Sequence, residues 1–107
     1  MTKFQEWFNA NLAESAYDIA NHGADCGFPH ITYTSDCVKL FDQFQDEIWE
    51  MAVSMAEDMG CRNVMEMVAG FKRSDMLETP DTFKNLMVWF ACEELANSIE
   101  RDREDAA

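Results

Sequence analysis

The chain has 107 residues and a formal net charge of −13, from 8 Lys and Arg against 21 Asp and Glu. One domain over residues 1–107 fits that length, and a hydrophobic fraction of 48% is too rich for a disordered acidic tail. Direct nucleic-acid binding is disfavoured by like charge, a bilayer span by the lack of any apolar run near the roughly 20 residues required, and no secretory signal is expected from the polar mixture after Lys3.

Four helical segments are expected, in an all-α domain without a strand pair. The first runs over about 2–21, where Phe4, Phe8, Leu12, Ala16 and Ile19 recur at helical spacing and Gly23 is placed to end the helix. Gly23, Gly27 and Pro29 then break the pattern. Phe28, Ile31 and Tyr33 give this Gly/Pro loop enough apolar surface to be ordered across the helices. The second helix, over about 35–59, starts at Thr34 or Ser35 as N-cap. It carries Val38, Phe41, Phe44 or Gln45, Ile48, Ala52, Met55 and Met59 on one face and stops at Gly60. A short third helix from Asn63 turns Val64, Met67, Val68 and Phe71 inward. The fourth begins at Thr79-Pro80-Asp81, with Thr79 as N-cap and Pro80 at the first helical position. It carries Phe83, Leu86, Met87, Phe90, Ala91, Leu95 and Ile99, and about 100–107 is expected to fray as an alternating-charge tail. Trp7, Trp49 and Trp89 each adjoin a core-facing position and are placed at the core boundary.

Cysteine use argues for a reducing compartment. Cys26, Cys37, Cys61 and Cys92 form no C-x-x-C pair, and a chain this apolar needs no disulfide framework, so the cytoplasm is expected. His22, Cys26, His30 and Cys37, with Asp25 among them, are the densest set of metal-ligating side chains. A zinc-stabilised structural or regulatory module centred on them is the alternative reading. Their spacing offers no knuckle to hold two ligands at once, and the main reading is no metal and no cofactor. Nor is an enzyme expected: there is no phosphate loop, no G-x-S-x-G and no H-E-x-x-H, and no basic surrounding that would make a thiolate of Cys26.

The acids are the better clue. Asp42, Asp46 and Glu50 recur at i, i+4 and i+8 on the second segment, with Glu57 further along. Like charges at that spacing mildly oppose an isolated helix. These four residues are the expected binding set, facing a basic surface on a partner protein. The stripe is too sparse to copy a duplex, which presents one phosphate per ~1.7 Å of axis. Nucleic-acid mimicry would need a sheet of charge to which Glu14, Asp18, Glu93, Glu94 and Glu100 also contribute. A monomer or a homodimer is compatible with these faces.

At Ile31-Thr32-Tyr33-Thr34-Ser35-Asp36, Asp46-Glu47-Ile48-Trp49-Glu50 and Phe83-Lys84-Asn85-Leu86-Met87-Val88-Trp89-Phe90, the chain resembles a family of short, acidic, uncharacterised accessory proteins of bacteriophage and prophage genomes. Asn21-His22-Gly23-Ala24-Asp25 and the stretch from Gly60 to Ala69 extend the likeness over nearly the whole chain. That family has no assigned catalytic residues to carry over. The resemblance implies a protein that acts in a host cell by binding, as anti-CRISPR and antirestriction inhibitors of host defence do.

Overall fold

The computed structural model describes residues 2–25, 27–70 and 80–106. Among them are α1 (Lys3–Leu12), a 3₁₀ turn (Ala13–Ser15), α2 (Ala16–His22), α3 (Thr34–Gln43), α4 (Gln45–Asp58), α5 (Val64–Gly70) and α6 (Pro80–Ala106). The fold is all-α, and the described residues include no strand. Two of the four expected segments are each divided, the first at the 3₁₀ turn and the second at Phe44.

Helix ends follow local chemistry where the side chains supply it. Thr2 and Gln5 form a reciprocal capping box at the start of α1: Gln5 N–H donates to Thr2 Oγ1 at 3.2 Å and Thr2 N–H to Gln5 Oε1 at 2.7 Å. At the end of α4, Gly60 adopts φ 75°. Its N–H reaches the carbonyl of Glu57 at 3.0 Å, and Cys61 N–H reaches Ala56 at 2.8 Å. This pair of bonds is the Schellman arrangement, which favours a residue without Cβ. The expected Thr34 or Ser35 cap is corrected. Tyr33 is the N-cap of α3 and offers no side-chain bond; its backbone carbonyl takes the N–H groups of Asp36 and Cys37 instead. Pro80 opens α6 as expected, and Thr79 and Phe71 lie outside the described residues. The stretch expected to fray is helical through Ala106.

The break at Phe44 has a tertiary cause. With φ −123° and ψ 33°, the backbone turns so that the Phe44 ring meets Phe4 at 5.5 Å between centroids. Glu47, just beyond the break, then accepts the N–H of Phe4 at 2.6 Å. A carboxylate thereby sits at the positive end of α1. No Gly or Pro marks the position.

The core is built around α6, which packs against α2, α3 and α4. At about 1.5 Å per residue its 27 residues span ~40 Å, close to the 43 Å longest dimension of the molecule. Residues 85–88, 90–92 and 94–96 are all buried, so this helix is covered on nearly every side. Phe4, Phe8, Leu12, Ala16 and Ile19 close one side of the core, and Ile48, Ala52 and Met55 another. Each large apolar side chain so buried contributes about 1.5–3 kcal/mol. Met59, expected inside, is 48% exposed because α4 has ended at Asp58. Trp7, Trp49 and Trp89 lie partly buried against the core. Trp89 Nε1 donates to the carbonyl of buried Ile31 at 2.9 Å.

Candidate functional site

The four acids of the expected binding set do not share one helix. Asp42 lies on α3, before the break; Asp46, Glu50 and Glu57 lie on α4. Asp42 accepts a 2.7 Å ion pair from Lys84 Nζ, whose ammonium also stands 5.7 Å from the Phe41 ring centroid. Its charge is therefore partly spent within the fold. Asp42 and Asp46 both border a hollow of about 470 Å³ at the α3–α4 junction, with Lys3 on its rim.

On α4 the periodicity works out differently. Asp46, Glu50, Val53 and Glu57 are spaced 4, 3 and 4 residues apart, and all four are exposed. They form one outward stripe about 16 Å long, with three carboxylates around an aliphatic side chain. Among the described residues no Lys or Arg forms an ion pair with Asp46, Glu50 or Glu57. The opposite side of the same helix buries Ile48, Ala52, Met55 and Ala56, which fixes the orientation of the acidic stripe toward solvent.

Two of the acids that a sheet of surface charge would need, Glu93 and Glu94, are turned toward the fold. Glu93 Oε1 accepts the N–H of buried Ala24 at 2.9 Å, tying α6 to the chain just after α2. Burial pushes its carboxyl above the ordinary range, the Ala24 amide opposes that, and Asp25 adds to it. Gly23 is required at this crossing. Its φ is 88°, and a Cβ there would lie 2.9 Å from Asp25 Oδ1 and 3.5 Å from Glu93 Oε1. Glu94 is only 6% exposed. Its Oε1 lies 3.5 Å from Ser54 Oγ on α4 and 3.6 Å from Arg101 on its own helix. Burial above all raises its pKa, with Asp58 adding to the rise and Arg101 and Ser54 opposing it. Glu100 is held by Arg103 at 2.8 Å. Glu14 and Asp18 are exposed.

The His/Cys set is dispersed in character. His22 and His30 are exposed; the His30 ring meets Trp7 edge-on at 6.3 Å. Cys37 is fully buried, and its thiol donates to the Ile31 carbonyl at 3.5 Å. Desolvation, with a smaller contribution from Asp36, pushes that thiol up to about 12. Cys92 is raised as well, by burial above all. Cys26 lies outside the described residues. Among those described, no group of three or more His, Cys, Asp or Glu side chains is arranged to hold a metal ion. None of the helices described is long and apolar enough to cross a membrane.

Compared with known proteins, the chain matches no curated protein and no solved structure. A family model, described as a domain of unknown function, DUF7222, matches residues 2–105. The chain belongs to that family.

Proposed function

We propose that this DUF7222 member acts by binding rather than catalysis, docking the outer stripe of α4 on a basic surface of a partner protein. The observation that carries this reading is the set Asp46, Glu50 and Glu57. These are three exposed carboxylates on one helix face, with no cation paired to them among the described residues, in a chain of net charge −13. Val53, 44% exposed at the centre of the stripe, supplies apolar contact where the charges supply steering and orientation. Together with the resemblance to phage accessory proteins, a basic nucleic-acid channel of a host defence complex is the partner proposed, in the host cytoplasm. Three carboxylates over about 16 Å are far sparser than duplex phosphates. Inhibition would therefore work by occupying the channel mouth, not by copying a nucleic acid.

Affinity purification from host lysate with the native chain and with Asp46→Lys/Glu50→Lys/Glu57→Lys tests the proposal. The native chain should retain a defence complex, with affinity falling steeply as salt rises and with nucleic acid competing. Each reversal should weaken binding by roughly fivefold, about 1 kcal/mol. Binding that ignores salt, or that survives all three reversals, would rule the reading out.

A further inference from the structure

We propose that the groove between α2 and the C-terminal half of α6 docks an arginine-bearing segment of a partner protein. The groove is open to solvent and encloses about 730 Å³. One wall is α6, with Asn97, Glu100, Arg101 and Glu104. These positions are spaced i, i+3, i+4 and i+7, so they form a single helical face about 10 Å long. The other wall is α2, with Tyr17 and Ala20, and Asp58 at the end of α4 also borders the space. Ala20, partly buried against the core, contributes only a methyl group, which leaves room between the walls.

Two independent features point to a cationic occupant. Three carboxylates line the groove against one guanidinium, that of Arg101, which lies 3.6 Å from Glu94 instead. Glu100 is held by Arg103 at 2.8 Å. Among the described residues no Lys or Arg forms an ion pair with Asp58 or Glu104, and both are exposed. The second feature is Tyr17, a large aromatic side chain left 59% exposed. Among the described residues it neither meets another ring nor carries a cation. An aromatic face attracts a cation, and guanidinium suits this one best. It is planar and weakly hydrated, it stacks on rings, and it grips a carboxylate through two parallel N–H groups. A second copy of this chain would bring another −13 of charge against the same carboxylates, so a basic segment of a different protein is the occupant. The inference does not rest on the docking reading, since no residue of the groove belongs to the outer stripe of α4.

Amide NMR of the intact protein tests the groove, at about 0.15 M NaCl, where charges are screened beyond ~8 Å. The probe is a capped alanine peptide with two arginines four positions apart, compared with its lysine and citrulline analogues. The arginine peptide should shift the Tyr17, Asn21 and Asn97 signals and saturate, the lysine peptide should bind more weakly, and the citrulline peptide should not bind. Asp58→Asn and Glu104→Gln should each weaken binding by about threefold, and Tyr17→Ala by about as much. Ala20→Met fills the groove without changing charge and should abolish saturable binding. The two charge variants lie at exposed positions and decide the matter even where Ala20→Met does not fold. Glu50→Gln, on the outer stripe, should leave affinity unchanged; a loss there as large as at Asp58 puts the binding on α4 and overturns the groove. So do shifts that never saturate, a lysine peptide that binds equally well, or affinity that the groove variants leave unmoved. Groove signals that move with protein concentration alone would make a second copy the occupant, which also overturns it.

Discussion

α4 and α6 pack against each other, yet they treat the same residue types in opposite ways. α4 has a buried side of Ile48, Ala52 and Met55 and a free side on which Asp46, Glu50 and Glu57 stay solvated. α6 is surrounded, so Glu93 and Glu94 are drawn inside, where each must find a donor or keep its proton. Carboxylates on the free side are available to a partner. Those on the enclosed side fasten neighbouring segments together.

The comparison breaks most sharply at apolar positions. Phe90→Ala, at 1% exposure on α6, should cost about 3–5 kcal/mol in urea unfolding. Val53→Ala on the free side of α4 should cost less than about 0.5 kcal/mol; similar losses at both sites would erase the distinction. Next in size is Glu93→Ala, which leaves the buried Ala24 N–H without its acceptor. It should cost about 1–3 kcal/mol at pH 5 and less at pH 8, where ionisation of the raised carboxyl has already weakened the native chain. Glu93→Gln keeps an acceptor without the charge and should flatten that pH dependence. Gly60→Ala, forced to φ 75° with open space around its Cβ, should lose about 1–2 kcal/mol from backbone strain alone. Smallest is the triple Lys substitution on the free side, whose stability should stay within about 0.5 kcal/mol of the native value. Losing Asp46 at the positive end of α4 opposes the gain from replacing Glu57 at the negative end. A large loss there would mean that the stripe is held inside the fold rather than offered outward.

Much of this was legible from residue spacing. Phe4, Phe8, Leu12, Ala16 and Ile19 are all buried even though a 3₁₀ turn divides their helix. The α3–α4 break was not legible. Residues 43–45 are Gln, Phe and Gln, none of them a helix breaker, and the cause lies 40 positions away at Phe4. The break separates Asp42 from Asp46, Glu50 and Glu57. An acidic stripe read from i+4 spacing alone therefore merged a residue engaged by Lys84 with three that remain free of cations among those described. Val53 was missed because a lone aliphatic among acids carries no signal until its exposure is known. Glu93 and Glu94, which a sheet of surface charge would need, lie on a helix covered on nearly every side. The run Leu86 to Cys92 was the available hint that this helix is enclosed.

From the order of its amino acids alone, this chain is settled as helical, single-cored and strongly anionic, since periodicity, caps and composition act within a few residues. Which acids stay in water and which are drawn against the core was decided only when α6 was packed by α2, α3 and α4. The reason is dielectric: a carboxyl’s ionisation responds to the groups packed within a few ångströms of it, and those arrive from distant parts of the chain.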